Sequence, residues 1–431
     1  MMKRYRIVVV LSALCWSVSV LPTAAQGYFP MNIEKVMSLA KANNLTIKNY
    51  QHQLQLSSAK VAQAKEWWLP DLYAGFSTHA LNGAAMNADG HIFTDVRRDN
   101  LWAGLGLAAE IDLSEGMYKP KSTRQQEEAV KYQVIAGSRN VVLEALHTYF
   151  DLQAEQITYF FMLELENQSD SLLSQLEVKY EAGMLLQSEV LMTRANRNHL
   201  KIKRLKAEQR WKQLSAELLN TLDIEQQNTV VNADTTLFAI SLDQLELKPF
   251  HAEDRPEFLS LTAELNSIEL MQKSASSSYL WPKIRLGFDD GAFGAYSTGG
   301  YNTYQLNASI LWNLPLGRMT YKGDLKEMDA KLMIQKNRIQ QFENQYEMEV
   351  IQALSDLELA KEQMDMAEEV VADLTMAYDQ RLSRQNLGTA KAYEVFQIQQ
   401  YLIEAKIEYV QAVNGYNKAQ YSLLVAQGNN L

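Results

Sequence analysis

The chain has 431 residues, with 41 Lys and Arg against 51 Asp and Glu, a formal net charge of −10. That balance argues against nucleic acid as a partner, because little basic surface is left to neutralise phosphates. The single cysteine, Cys15, lies in the first apolar run, so disulfide and thiol chemistry are excluded once that run is removed.

Lys3, Arg4 and Arg6 precede an apolar run from Ile7 to Leu21, and Pro22-Thr23-Ala24-Ala25 supplies small residues before Gln26. This pattern predicts a secretory signal peptide over 1–25, cleaved after Ala25, rather than a retained anchor. Ser12-Ala13-Leu14 before Cys15 does not form a lipoprotein cleavage site, so no acyl anchor is expected. The three basic residues leave with the leader, and 38 remain against 51 acidic ones, a net charge near −13. After Ala25 no window reaches the ~18 consecutive apolar residues of a membrane helix, which leaves β-strands as a way to span an outer membrane.

Met31 to Glu66 has no Gly or Pro and predicts a helix, ended by Pro70. The period then changes from 3.6 to 2. Leu72, Ala74 and Phe76 alternate with polar or small residues. Leu101, Ala103, Leu105, Leu107, Ala109, Ile111 and Leu113 do the same. Two strands of ~10–13 residues follow, joined by a polar loop over 81–100. Tyr118 to Ala182 predicts one helix of about 65 residues, ~98 Å long, far beyond a compact domain. Val141, Ala145, Leu152, Leu172, Leu176 and Tyr180 are spaced for side-by-side packing of long helices. The chain turns at Gly183 and returns from Gln187 to Leu222. Residues 223–255 read as a link with short strands or turns.

The pattern then repeats. A helix is expected from Pro256 to Ser278, and strands carry Ile284, Leu286 and Phe288, then Tyr304 to Leu314, around a loop over 290–302. A long helix runs from about Tyr321 to Asn386, with a turn at Gly388 and a return from Ala390 to Ala426. Trp67-Trp68-Leu69-Pro70 returns as Tyr279-Leu280-Trp281-Pro282, Asp112-Leu113 with Gly116 as Asn313-Leu314 with Gly317, and Gly183 with Glu189-Val190 as Gly388 with Glu394-Val395. The chain is therefore a tandem duplication, with repeats over 26–222 and 256–431 around the link. Each return helix is shorter than its partner, and the first helix of each repeat can supply the missing length by stacking end to end on it. Trp67, Trp68, Tyr279, Trp281 and Trp312 cluster at strand ends as interfacial anchors do. Alternation alone also fits a soluble antiparallel sheet with one buried face. If the strands span, four cannot close a barrel, so several copies must share one.

These residues resemble the TolC-like outer-membrane efflux family over essentially the whole mature chain. The likeness is carried by the Leu-Pro and Trp-Pro strand openings, Asp112-Leu113, Asn313-Leu314-Pro315-Leu316-Gly317, Arg255-Pro256-Glu257 and the two Gly-x5-Glu-Val turns. The resemblance implies a mixed α/β membrane protein. Three copies share a twelve-stranded barrel, four strands per chain, continuous with a long α-helical coiled-coil barrel that crosses the periplasm. It implies a passive exit duct docked by a periplasmic adaptor to an inner-membrane efflux pump or an ABC exporter of a type I secretion system. It also implies that the turns at Gly183, Met184 and Leu185, and at Gly388, Thr389 and Ala390, are the adaptor-contacting tips.

The family's constriction residues map to Glu394 and, one turn on, to Gln397, which departs from the family's acidic pattern; Glu189, the first-repeat counterpart of Glu394, is a further constriction candidate. The family's basic gate residue maps to Ala390, which leaves Lys391 and Arg384 as gate candidates. A ring of three carboxylates in a narrow pore attracts cations and repels anions. Glu394 and Glu189 also sit in the first turn of the return helices, where the helix dipole favours carboxylates for purely structural reasons.

His52, His79, His91, His147, His199 and His251 show no ligand spacing, and no phosphate loop, nucleophile elbow or paired-carboxylate motif appears. No enzyme, metal or cofactor is expected. The alternative reading is a secreted coiled-coil scaffold or adhesin with a soluble sheet and no pore. A periplasmic adaptor would show one hairpin between two halves of a β-domain, and this chain has two full hairpins.

Overall fold

The structure is a computed structural model that describes residues 27–225, 229–234, 239, 240, 251–295, 299–314, 316–387, 389 and 392–429. The leader 1–25 lies outside these residues, as does most of the link.

In chain order the strands are β1 (Gly27–Pro30), β2 (Asp71–Met86), β3 (Ile92–Asp112), β4 (Thr229–Asn232), β5 (Lys283–Ala295) and β6 (Gly299–Leu311). The helices are α1 (Ile33–Asn43), α2 (Leu45–Ala64), α3 (Leu113–Glu181), α4 (Gln187–Thr221), α5 (Pro256–Ser277), α6 (Leu316–Tyr321), α7 (Gly323–Asn386) and α8 (Ala392–Ala426). With 69 residues, α3 is ~104 Å long.

The helix expected over Met31–Glu66 is broken at Asn44. Its Oδ1 accepts the Thr46 and Ile47 amides, capping α2, while its Nδ2 donates to the Thr221 carbonyl at 2.6 Å. One side chain thus starts α2 and ties it to the end of α4, the end-to-end joint that the helix lengths require. The helix expected from Tyr118 begins earlier, at Leu113. Asp112 caps it by accepting the Glu115 amide at 3.1 Å, and Pro120 is carried inside at the cost of one backbone bond. In the second repeat Lys322, in the left-handed region at φ 51°, separates α6 from α7.

Strands β2, β3, β5 and β6 form one antiparallel sheet in that order. The register pairs Leu72 with Leu107, Leu107 with Phe288 and Phe288 with Leu306, so the predicted apolar positions share one face across all four strands. The strands are longer than expected. Much of 81–100 is strand, closed by a tight turn in which Asn87 Oδ1 accepts the Asp89 and His91 amides, and 290–302 is strand up to Ala295 and from Gly299. Alternation fades there because ladder hydrogen bonds hold a strand whether or not one face is apolar.

On the opposite face Trp102 lies over Gly75 and Tyr73 over Gly106. Glu110 pairs with Arg285 at 3.2 Å and Asp112 with Lys283 at 3.0 Å. Among the described residues strands β2 and β6 keep a free edge each.

The main core sits at the chain's equator. β1 pairs with β4 in parallel, bringing Val230 and Val231 against Trp211, Leu218, Tyr149 and Phe150. Trp211 Nε1 donates to the Val231 carbonyl at 2.9 Å, and Gln156 holds the Ala233 amide and carbonyl. Toward the sheet α3 packs on α2 and α5; toward the tips α3 pairs with α4, and α7 with α8. Tyr180, expected in the packing seam, is exposed beside the first turn.

Candidate constriction and hairpin tips

Among the described residues the two hairpins share one closing backbone bond. Gly183 takes the left-handed conformation at φ 71°, its amide reaching the Tyr180 carbonyl and the Met184 amide the Lys179 carbonyl at 2.9 Å. This is a Schellman closure, which needs a residue without a Cβ penalty at that position. At the second turn the Thr389 amide reaches the Arg384 carbonyl at the same 2.9 Å, reinforced by Thr389 Oγ1 at 3.0 Å. Gly388, Ala390 and Lys391 lie outside the described residues. Met184 and Leu387 project into solvent, each 79% exposed, with Leu186 beside them and Leu185 half-buried. Two adjacent apolar tips on otherwise charged helices are surfaces that a partner would cover.

Glu394 is half-buried in the first turn of α8, and its Oε2 accepts from Arg381 Nη1 at 2.7 Å across the hairpin. Arg381 is the group that sequence reasoning missed. It lies seven residues before Gly388 while Glu394 lies six after it, a symmetry about the turn that could have found it. The repeat points away from it, because the position equivalent to Arg381 in the first hairpin is Leu176, which is buried. Glu189 therefore lacks the partner that its counterpart has, and the first hairpin is clamped instead by Glu177 with Arg194 at 2.7 Å. Arg384 and Gln397 are both exposed. Arg384 makes no side-chain ion pair among the described residues, so of the gate candidates it contributes here only its carbonyl.

A second charged cluster sits between the hairpins and the sheet. Glu257 accepts from Arg139 at 2.6 Å and from Arg255 at 2.9 and 3.1 Å, and Arg255 also reaches Glu349 at 2.9 Å while lying over Phe342 and Tyr346. Burial pushes the Glu257 carboxyl up, but the bonds and charges of Arg255, with Arg139 beside it, outweigh this and hold it below the usual range. Arg255-Pro256-Glu257, a sequence signature of the second repeat, is thus an ion-pair anchor at the start of α5. No group of His, Cys, Asp and Glu suited to a metal occurs among the described residues.

Residues 36–222 match the family model described as outer membrane efflux protein. Over this stretch, a little under half of the chain, the sequence is similar to that family. The matched model describes transport components of the outer membrane rather than enzymes. No curated protein matches it by sequence. Among solved structures it is similar to the Campylobacter jejuni CmeC outer membrane channel, with a TM-score of 0.76 at 16% identity, covering 92% of this chain and 85% of that one. The outer membrane protein VceC of Vibrio cholerae gives a TM-score of 0.73 at 13% identity, covering 92% and 96%. The open state of the Neisseria gonorrhoeae MtrE outer membrane channel gives 0.73 at 14%, covering 92% and 89%. At these identities the likeness is one of fold, and it extends over both repeats.

Proposed function

We propose that three copies of the mature chain share one twelve-stranded barrel in outer-membrane lipid, continued by their helices into a tunnel across the periplasm. The chain is then the passive exit duct of a tripartite efflux or type I secretion system, fed by an inner-membrane efflux pump or ABC exporter through a periplasmic adaptor. The observation that carries this reading is the four-stranded sheet. It has two free edges and one continuous apolar face, fused end-on to helices of ~100 Å. Free edges in hydrocarbon are untenable, so the sheet needs copies of itself to close. The scaffold reading would leave Leu72 and Leu306, 72% and 75% exposed, facing water with nothing to cover them.

In this duct the leader 1–25 is removed on export, and the repeats 26–222 and 256–431 lie in series around the link 223–255. Glu394, Gln397 and Glu189 line the constriction. Arg384 and Lys391 are gate groups. The tips Gly183, Met184, Leu185, Gly388, Thr389 and Ala390 meet the adaptor, which the exposed apolar side chains beside the turns support. Planar-bilayer conductance of the purified mature chain tests this, after an unheated gel has established a trimer-sized species. Small cation-selective steps that change in Glu394→Ala are expected. A trimer that inserts and never conducts would make the protein a sealed scaffold.

A further inference from the structure

We infer that neighbouring copies are held in a fixed head-to-tail order by opposite charge, with α4 of one copy set against α7 of the next; this rests on the trimeric reading above. The two helices carry opposite charge. From Gln187 to Thr221, α4 has eight Lys and Arg against three Glu, whereas α7 between Glu343 and Asp379 has eleven carboxylates and one basic residue, Lys361. Part of the α4 charge is used within the chain, where Arg194, Arg197 and Arg204 pair with Glu177, Asp170 and Glu166 of α3. Lys201, Lys203 and Lys206 make no ion pair among the described residues, and neither do Glu358, Glu362, Asp365, Glu369 and Asp373 of α7.

These charges flank exposed apolar side chains at coiled-coil spacing. Ile202 and Leu205 on α4 are exposed between Lys201 and Lys206, and Met366 and Val370 on α7 are exposed beside Asp365 and Glu369. Both helices also stand at the flanks of the chain. Next to the sheet α3 and α5 lie between α2 and α7; α4 continues α2, and α8 alone packs on both α7 and the α3–α4 pair. The outer flanks left over are those of α4 and α7.

The levels agree. Lys201, Leu205 and Lys206 lie 18, 22 and 23 residues beyond Gly183, and Glu369, Met366 and Asp365 lie 19, 22 and 23 residues before Gly388. Within the chain the two tips stand at similar height, because Asn196, 13 residues past the first turn, bonds Gln399, 11 past the second, at 3.1 Å. A second copy placed beside the first therefore presents carboxylates where this one presents ammonium groups, with apolar side chains between them. Such an interface is heterologous, one surface against a different one, so a closing rotation makes a ring. Like charges face each other if the order is reversed, which suppresses wrong pairings.

The mature chain has no cysteine, so Leu205→Cys and Met366→Cys can be introduced singly and together in the full-length protein. The double variant is expected to cross-link under mild oxidation into a covalent trimer. The single variants are expected to cross-link only when co-expressed with each other. Lys201→Glu with Lys206→Glu should reduce the heat-resistant oligomer about tenfold, and adding Glu362→Lys, Asp365→Lys and Glu369→Lys should restore it. An oligomeric wild-type protein in which the double variant never cross-links, in which Leu205→Cys cross-links to itself, or in which the combined charge exchange fails to restore the oligomer, would overturn this interface alone. A wild-type chain that stays monomeric in the outer membrane would overturn the trimeric duct together with it.

Discussion

Arg381 and Glu394 form an ion pair that is open to solvent on both sides, and such pairs stabilise a fold by only about 0–1 kcal/mol. In the duct proposed above, their contribution is to the charge of the pore. With the pair made, each copy would present a dipole at the constriction; without Arg381, three carboxylates would stand alone. Arg381→Gln should therefore increase preference for cations, and Glu394→Gln, which leaves three guanidinium groups, should shift it toward anions, both with little change in thermal midpoint. Reversal potentials in a salt gradient read this directly, and unchanged values in both variants would remove the pair from the narrowest point. The cluster around Glu257 has the opposite balance. Arg139 is 2% exposed at its side chain, so removing its carboxylate leaves a buried uncompensated cation, and Glu257→Gln should cost about 3–5 kcal/mol at neutral pH. Because the Glu257 carboxyl is held below its unfolded value of about 4.3, its contribution is complete above that pH and disappears as pH falls through the lower, folded value. Acid denaturation followed by circular dichroism should therefore show a flatter acid limb in Glu257→Gln than in wild type.

At the level of elements, close packing of the long helices rests on two glycines of α3. Tyr50 of α2 lies against Gly137, and Trp67 against Gly116, where a Cβ would overlap the rings. Alanine in a helix interior is favoured over glycine by about 1 kcal/mol, whereas overpacking costs about 1–3 kcal/mol. Gly137→Ala should thus destabilise the protein, while in a Tyr50→Ala background the same change should stabilise it. A double-mutant cycle by urea unfolding checks this sign reversal. Neither contact is legible in the sequence, since a lone glycine in a helical pattern does not say which ring covers it. The first turn, in contrast, is legible to within a residue, because a long helix that reverses needs a residue tolerant of the left-handed region and Gly183 supplies it. The break at Asn44 was hidden because the residue caps with its side chain, and no Gly or Pro marks it. The upper ends of β2, β3, β5 and β6 resemble loops in sequence because their pattern loses its apolar face there. Arg381 was missed because the duplication, so informative about fold, places a buried leucine at the equivalent position.

For the whole molecule, the two faces of the sheet decide where it can reside. Leu107 and Ala108 are neighbours on β3 and point to opposite faces. Leu107 stands in the apolar row with Leu72, Phe288 and Leu306, and Ala108 is paired with Asp71 and Gly287 on the face that carries Glu110 and Arg285. An arginine near the bilayer midplane on a lipid-facing position costs about 2–4 kcal/mol, and the proposed trimer would multiply that cost in one assembly. A water-filled lumen imposes no such penalty. Leu107→Arg should therefore deplete the heat-resistant oligomer from the outer membrane, whereas Ala108→Arg should assemble normally and change only the conductance. A unheated gel of outer-membrane fractions, with both variants expressed alongside wild type, separates the cases. Equal assembly of the two variants would mean that lipid does not contact the apolar row, and the sheet would have to bury that face against protein. The comparison needs only adjacent residues with the same substitution, so strand propensity and expression effects largely cancel, and the side of the sheet is the variable that remains.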